Sequence, residues 1–348
     1  MCARCARGGA ESGVGGRGPA ATRLAILKSR KRGCMKLALT SAILPEMAFD
    51  EVVGFLAANG IPGVEPMCWP VGSGDQRKFA GVTHIDVAKL NSSAVRNIQQ
   101  MTGSAGVAIT GLGYYPNPLT PDADESKVAR AHLRKVIQGA EKLGVPIVNT
   151  FIGRDWHLSL AGNWKRFRQV WRPLVEYAAG HGVTIAIENC PMRFTQDEWP
   201  GGKNLACSPA AWRQMFEEID SPNFGLNLDP SHLVLQHIDA VRVVEDFGKR
   251  IFHVHAKDLQ VDADRLYEVG VLADDPKDWH TPKIPGSGQV PWGPFFRALR
   301  RVGYEGWVSI EIEDPAFQTL EERKDAVLRS RDFLQPLLAE NASREQEV

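Results

Sequence analysis

The chain has 348 residues, no formal net charge and 43% hydrophobic residues, a composition typical of a folded globular protein. Its balanced charge gives no electrostatic reason to expect a nucleic acid or a membrane surface as partner. No apolar run approaches the ~20 residues that a membrane-spanning helix needs. The six cysteines are scattered along the chain, which favours free thiols in a reducing compartment and predicts a cytoplasmic protein.

The two ends of the chain differ in composition from the rest. Residues 1–34 are rich in Gly, Ala and Arg and contain one acidic residue, so we interpret them as a disordered basic extension. Cys2 and Cys5 form a CxxC pair there, but no second pair follows at zinc-finger spacing. Residues 340–348 are interpreted as a charged C-terminal tail. Residues 35–339 are predicted to form a single folded domain.

Within this domain, short apolar runs alternate with amphipathic stretches of helical periodicity. Several helical stretches end in a glycine just before the next apolar run, which is a common helix stop. Predicted helices include residues 49–60, 128–144, 168–182 and 294–303. The predicted strands are residues 36–41, 64–67, 107–112, 147–151, 184–189, 225–229, 252–256 and 307–312.

Eight successive strand–helix units predict an α/β fold of the (β/α)8 TIM-barrel type. The alternative is an open doubly wound sheet, which usually carries a Gly-rich phosphate loop after its first strand. Here the first strand is followed by AILPEMAFD, which contains no such loop. The later segment PGSGQVPW is interpreted as a loop of defined conformation and not as a nucleotide-binding motif. Because barrels place their active sites at the carboxyl ends of the strands, polar residues at those positions are the functional candidates.

Four consecutive predicted strands carry a carboxylate or an imidazole at their ends. These residues are Glu188, Asp229, His255 and Glu311. Carboxylates at one level of a barrel are costly unless a cation compensates their charge. A single carboxylate at a strand end is more often an ion-pair partner than a metal ligand. Without a metal, however, the presence of each of the four residues at this level would need its own explanation. A mostly oxygen set predicts one divalent ion, with Mn²⁺ preferred and Mg²⁺, Co²⁺ or Zn²⁺ as alternatives.

The seventh strand contains a second histidine. In IFHVHAKDL, the alternation of a strand places His253 and His255 on the same side at different depths. We interpret His255 as the metal ligand and the deeper His253 as a hydrogen-bonded core residue.

The motifs AIENCP, NLDPSHL, HVHAKD, PGSGQVPW and SIEIEDP occur in this order. Together they resemble the xylose isomerase-like TIM barrels, a superfamily that includes ketose 3-epimerases, inosose dehydratases and isomerases, and a group of apurinic endonucleases. The resemblance covers residues 35–337 and implies that Glu188, Asp229, His255 and Glu311 hold one divalent metal.

The resemblance also implies residues that surround the metal. It places His232 beside the ion, as a substrate contact or a supporting residue, and Lys257 and Asp258 at the rim of the pocket. Lys283 stands where many relatives carry an arginine that binds substrate. Lysine offers a single charged ammonium group at this position, whereas the guanidinium group of arginine can donate two hydrogen bonds to one acceptor group.

The endonuclease branch is disfavoured by the sequence. That branch uses a trinuclear zinc cluster with extra histidines on early strands, and neither VEPMCWP nor ITGLGYYP contains one. The basic surface expected for DNA is missing as well.

One metal between carboxylates on separate strands suits proton transfer next to a carbonyl, through an enediolate. Glu188 and Glu311 would remove and return the proton from opposite faces. We therefore predict an isomerase or epimerase acting on an unphosphorylated keto-sugar or polyol. Two alternatives stay open. The first is a lyase that expels a β-leaving group with His232 as the acid, and the second is a non-catalytic sugar-binding barrel.

Further substrate contacts are predicted near the early strands. Aromatic residues follow these strands and either pack in loops or form a wall against a sugar; Trp69 and Tyr114 are the named candidates, with Tyr115, Phe151 and Trp156 nearby. Glu65 is assigned either a substrate hydroxyl or an ion pair with a Lys or Arg. The predicted partner is a small carbohydrate, and a homo-oligomer is left open.

Overall fold

The computed structural model describes residues 34–72, 81–192, 202–273, 275 and 277–339. The described residues form one compact unit. The predicted extension, apart from Cys34, and the predicted tail lie outside the described residues. Among the described helices, none is both long enough and apolar enough to cross a membrane.

Eleven strands are present in the described part of the chain. They are β1 (Lys36–Thr40), β2 (Gly63–Glu65), β3 (Ala108–Ile109), β4 (Leu112–Gly113), β5 (Ile147–Thr150), β6 (Thr184–Glu188), β7 (Phe224–Leu228), β8 (Ile251–Ala256), β9 (Asp258–Val261), β10 (His280–Lys283) and β11 (Trp307–Ile310). Nine of them form one sheet in the order β3-β2-β1-β11-β8-β7-β6-β5-β4. All pairs in this sheet are parallel. Strands β9 and β10 form a separate antiparallel pair.

The two edges of the large sheet are the two halves of one predicted strand. Residues 107–112 were expected to be continuous, but they divide into β3, which pairs with β2, and β4, which pairs with β5. The gap is closed by a parallel bridge between Met67 and Gly113. In this bridge Gly113 N–H donates to Pro66 O over 3.0 Å and Cys68 N–H donates to Gly113 O over 2.9 Å. The (β/α)8 barrel predicted from the sequence is therefore confirmed, with its third strand broken in the middle.

Ten α-helices are present in the described residues. They are α1 (Phe49–Ala58), α2 (Ser92–Ala105), α3 (Ala123–Leu143), α4 (Leu160–Gly180), α5 (Pro209–Glu218), α6 (Ser231–Leu235), α7 (Ala240–Phe247), α8 (Ala263–Val269), α9 (Trp292–Arg301) and α10 (Leu320–Ala339). Helix α3 begins earlier than predicted because the Asp122 side chain accepts from the backbone N–H groups of Asp124 and Glu125. It ends where the sequence indicated, at Gly144, which adopts the left-handed conformation with φ +71°.

Apolar side chains from the strands and from the inner faces of the helices form one continuous core. The carboxyl ends of the strands are different, because several buried polar side chains lie there among the apolar ones. A functional site at this end of the barrel agrees with the general architecture of the fold.

Candidate metal centre

The four predicted ligands lie together at the carboxyl end of the barrel. Glu188 ends β6, Asp229 follows β7, His255 lies in β8 and Glu311 follows β11. These four strands are consecutive neighbours in the sheet. Each residue offers one donor atom, and the four atoms all lie within 4.8 Å of one another. Parallel strands that end at one level therefore bring together residues far apart in the sequence.

The buried polar atoms of this cluster fit a divalent ion. Asp229 and His255 are almost inaccessible to solvent, with 0% and 1% of their surface exposed. Asp229 Oδ2 faces Lys257 Nζ at 3.1 Å, and within the described residues neither this oxygen nor His255 Nδ1 makes a well-aligned hydrogen bond, although buried polar atoms normally do. His255 Nδ1 lies 3.1 Å from Glu311 Oε2 and 3.8 Å from Glu188 Oε2. Carboxylate oxygens around one imidazole nitrogen are suitable donors for Mn²⁺ or Zn²⁺, and their role as ligands stays a prediction.

The two glutamates of the cluster have opposite electrostatic environments. Burial and the nearby Glu311 carboxylate raise the pKa of Glu188. Burial also opposes ionisation of Glu311, but Lys257 and His255 more than offset it and hold the pKa of Glu311 well below its usual range. Neighbouring carboxylates whose pKa values are driven apart are common in sites that move protons.

Lys257 lies inside this cluster, and not at the pocket rim where the resemblance placed it. Only 3% of its surface is exposed. Its Nζ lies 3.1 Å from Asp229 Oδ2 and 3.2 Å from both Glu311 Oε2 and Glu313 Oε2. These carboxylates outweigh the effect of burial and raise the pKa of Lys257 well above its usual value. The ammonium group thus compensates part of the negative charge of the predicted ligands.

His232 also lies beside the predicted ligands. Its Nε2 is 3.4 Å from Glu188 Oε1, 3.4 Å from Asp229 Oδ2 and 3.2 Å from Lys257 Nζ. Cys190 forms a second group with His232 and Glu188, with one donor atom of each within 4.8 Å. The sequence analysis did not assign Cys190, although its position two residues after Glu188 was a usable signal. A thiol next to the centre adds a softer donor that Mn²⁺ does not favour and Zn²⁺ does.

Glu65 lies at the end of β2, outside the four strands that carry the predicted ligands, and is completely buried. Its Oε1 accepts from Tyr115 Oη over 2.5 Å. Its Oε2 lies 2.9 Å from His255 Nε2. Both carboxylate oxygens therefore have partners, and among the described residues these are Tyr115 and His255 and not the Lys or Arg expected as one alternative. The contact with a substrate hydroxyl stays a prediction.

His253 lies one step deeper than His255, as the strand pattern predicts. Its Nδ1 is 3.1 Å from Asn227 Oδ1. Its Nε2 is 3.4 Å from Ser309 Oγ and 3.5 Å from Thr110 Oγ1. Burial lowers the pKa of His253 to about 4. These contacts are those of a neutral, hydrogen-bonded core histidine.

Two predicted substrate contacts lie in the core. Trp69 and Tyr114 are buried, and their rings meet edge to face at 5.0 Å. Tyr114 also packs at 4.8 Å against His132 of α3. This arrangement favours the packing alternative for both residues. The next residue, Tyr115, faces the centre instead, because it contacts both Glu65 and the ring of His255.

Asp258 holds the loop after β10 in place through hydrogen bonds. This carboxylate was expected at the pocket rim, but it is fully buried. It accepts from the backbone N–H groups of Leu259, Gly286 and Val290 and from Trp292 Nε1 over 2.8–2.9 Å. A Cβ at Gly288 would lie 2.6 Å from Leu259 O and would also meet Asp258, so a glycine is required there. The segment PGSGQVPW is thus a loop shaped around one carboxylate.

Lys283, the predicted substrate contact, ends β10 immediately before this loop. Its side chain is 29% exposed and its Nζ lies 3.7 Å from Asp314 Oδ1. The residue is therefore more accessible than Lys257, and its role in binding substrate stays a prediction.

Comparison with known proteins assigns the chain to a family. The family model described as xylose isomerase-like TIM barrel matches residues 53–337. The chain therefore belongs to the xylose isomerase-like TIM barrels, as the sequence motifs indicated.

The curated relatives have more than one activity. An uncharacterised protein of Bacillus subtilis, YfiH, is 26% identical over 317 residues, covering 80% of this chain and 93% of that protein. Inosose dehydratase of Geobacillus thermodenitrificans is 34% identical over 105 residues, covering 30% of this chain and 35% of the dehydratase. A probable ketose 3-epimerase of Synechocystis is 30% identical over 98 residues, covering 28% of this chain and 27% of the epimerase. The curated relatives thus include both dehydratases and epimerases.

Solved structures agree on the fold. The IolI protein with a bound zinc atom superposes with a TM-score of 0.66 at 17% identity, covering 88% of this chain and all of that one. At this level of identity the similarity concerns the architecture of the barrel.

Proposed function

We propose that this chain is a divalent-metal-dependent isomerase or epimerase that moves a proton next to the carbonyl of a keto-sugar or polyol. The observation that carries the proposal is the cluster of four donor atoms within 4.8 Å at the carboxyl end of the barrel. The sugar-converting relatives support the choice of substrate class. A divalent ion, when bound, supplies Lewis acidity to the carbonyl oxygen of the substrate.

Glu188 and Glu311 are the proposed proton carriers. They are held on β6 and after β11, with His255 between them in sheet order. Carboxylates on separate strands can reach a substrate carbon from two directions, so that one removes a proton and the other returns it.

The alternative is a lyase that eliminates a group β to the carbonyl. The position of His232 favours this candidate, because its Nε2 lies 3.4 Å from Glu188 Oε1. The imidazole could protonate the leaving group while the carboxylate takes the proton from carbon. The dehydratase relative supports the same chemistry. A sugar-binding barrel without turnover is the third candidate.

The metal itself is part of the proposal. Mn²⁺ agrees with the mostly oxygen donor set. Zn²⁺ is favoured by the nearby Cys190 and by the zinc in the related IolI protein. We propose one ion per chain, a carbohydrate as the small-molecule partner and a cytoplasmic location, with the oligomeric state left open. Metal analysis of the purified protein decides between the ions, and two or three zinc atoms per chain would contradict a single site.

The reaction is tested by incubating the metal-loaded protein with a panel of keto-sugars and keto-inositols in D₂O. Deuterium in an isomeric product, detected by NMR, supports the isomerase or epimerase. A dehydrated product supports the lyase. If no substrate exchanges its proton, the non-catalytic barrel is the better description.

Two variants separate chemistry from folding. Glu311→Gln keeps an oxygen for the ion but loses the base, so turnover should fall by ~10³-fold or more with a modest loss of bound metal. His253→Gln is the matched control, because His253 is buried but contacts core residues. It should cost about 1–3 kcal/mol of stability and leave turnover of the folded protein largely intact. An inactive, folded and metal-loaded His253→Gln beside an active Glu311→Gln would refute the assignment.

A further inference from the structure

We propose that Glu65 is a positioning residue that accepts the Nε2–H of His255 and thereby reserves His255 Nδ1 for the divalent ion. The inference rests on the proposed metal site and adds a residue from β2, outside the four strands that carry the predicted ligands. It assigns Glu65 a role different from the substrate contact predicted from the sequence.

The two nitrogens of His255 face different groups. Nδ1 faces the predicted ligands, 3.1 Å from Glu311 Oε2 and 3.8 Å from Glu188 Oε2. Nε2 faces Glu65 Oε2 at 2.9 Å. An ionised carboxylate can only accept, so Nε2 carries a hydrogen whether or not Nδ1 carries one toward Glu311. A neutral imidazole with its hydrogen on Nε2 has its lone pair on Nδ1, which is the form that binds a metal.

Glu65 itself is held in one position. Its other oxygen accepts from Tyr115 Oη over 2.5 Å, and the side chain is completely buried. Gly113 leaves room for this contact, because a Cβ at that position would lie 2.8 Å from Glu65 Oε1. The carboxylate is therefore a fixed acceptor.

A competing arrangement involves Asn227, whose Nδ2 lies 3.0 Å from the same His255 Nε2. If this amide donated to Nε2, the ring hydrogen would lie on Nδ1 and the metal donor would be lost. In that arrangement the lone pair of His255 Nε2 would also face the Glu65 carboxylate. A hydrogen bond to an ionised acceptor is about twice as strong as one between neutral groups, so the contact with Glu65 should determine the tautomer. Asn227 Nδ2 has another acceptor in Tyr115 Oη, at 3.4 Å.

The first test reads the tautomer directly in the wild-type protein. Long-range ¹H–¹⁵N correlation spectra of metal-free protein distinguish Nε2–H from Nδ1–H imidazole, and the His255 signals are identified by their loss in His255→Gln. We expect a hydrogen on Nε2 of His255 with and without metal, and the loss of any Nδ1 hydrogen together with a shift of the Nδ1 resonance when Zn²⁺ is added. A His255 ring without a hydrogen on Nε2 in either sample overturns the inference without the need for a Glu65 variant.

The second test measures the affinity for Zn²⁺ by competition with a chelator. Glu65→Gln presents an amide that can donate to Nε2 and favour the wrong tautomer, so the dissociation constant should rise by ~10–100-fold. Glu65→Asp keeps the carboxylate and should recover part of the affinity. Glu141→Gln is the matched control, because Glu141 also pairs with a histidine, His181, over 2.8 Å at an exposed position. It should leave zinc affinity unchanged.

The outcomes separate this inference from the proposed function. Wild-type protein that binds no divalent ion refutes the metal site itself. Wild-type affinity and an unchanged His255 tautomer in Glu65→Gln refute the role of Glu65 and leave the metal site standing. Loss of zinc affinity in folded Glu65→Gln together with the Nδ1–H tautomer supports both.

Discussion

Replacement of Lys257 by methionine should change the stability of the metal-free protein and the affinity for metal in opposite directions. The ammonium group lies 3.1 Å from Asp229 Oδ2 and 3.2 Å from Glu311 Oε2, so it contacts two of the four predicted ligands. Methionine keeps the unbranched shape of the side chain and removes its charge. The substitution therefore removes the internal cation that competes with a divalent ion for the same oxygens.

The expected magnitudes follow from the burial of this group. Breaking a buried ion pair by removing one partner costs about 3–5 kcal/mol, because the carboxylates stay behind without compensation. The same carboxylates then attract a divalent ion more strongly. Two unit charges 4 Å apart interact by about 4 kcal/mol at an effective dielectric constant of 20. Relief of even a third of this repulsion corresponds to metal binding about 10-fold tighter.

The assay compares urea denaturation of chelator-treated and zinc-loaded protein with direct titration of zinc. Lys257→Met should lower the unfolding free energy without metal and enlarge the stabilisation that zinc provides. Lys283→Met is the control, because its Nζ is 3.7 Å from Asp314 Oδ1 and its side chain is 29% exposed. It should change stability by less than about 1 kcal/mol. If Lys257→Met weakens zinc binding as well as stability, Lys257 supports the metal site and does not compete with it.

Three further outcomes are expected. Removal of the metal by a chelator should lower the melting temperature of the wild-type protein, because an ion that binds only the folded state stabilises it; an unchanged melting temperature would argue against a bound ion. A chain that begins at Met35 should keep its melting temperature and metal content, and unfolding would contradict our interpretation of residues 1–34. Asp258→Asn should cost about 2–6 kcal/mol, since one oxygen that accepts two N–H groups becomes a donor. Trp292→Phe, which removes one of the four donors, should cost less, and the reverse order in urea denaturation would refute the role of Asp258.

The barrel and the cluster of predicted ligands could be read from the sequence because both depend on local periodicity and chain order. Each strand of a parallel barrel ends at the same side, so a polar residue at the end of an apolar run is placed there without knowledge of its neighbours. This reasoning brings together Glu188, Asp229, His255 and Glu311. The boundaries were less accurate. The eighth strand, for example, leaves the sheet at Ile310, so that Glu311 lies beyond the strand and not within it.

The residues that surround the cluster were not predictable in the same way. Tyr114 and Tyr115 are adjacent in a short segment that follows β4 and has no regular alternation, so nothing local distinguishes the one in the core from the one in the centre. The contact between Glu65 and His255 joins residues 190 positions apart. It depends on the width of the closed barrel and on the small size of Gly113. Sequence patterns carry no information on such distances.

The predicted metal ligands and Glu65, the residue that supports the ligand His255, lie on different strands of the barrel. The ligand carboxylates come from β6 and from the ends of β7 and β11, whereas the acceptor for His255 Nε2 comes from β2. The bridge between Met67 and Gly113 joins the segment that follows β2 to β4 and closes the sheet next to Glu65. A change that loosens this closure should therefore reach the metal site through the orientation of one imidazole, although no residue of the closure is a ligand. The break in the third strand is thus a part of the fold on which the geometry of the centre depends.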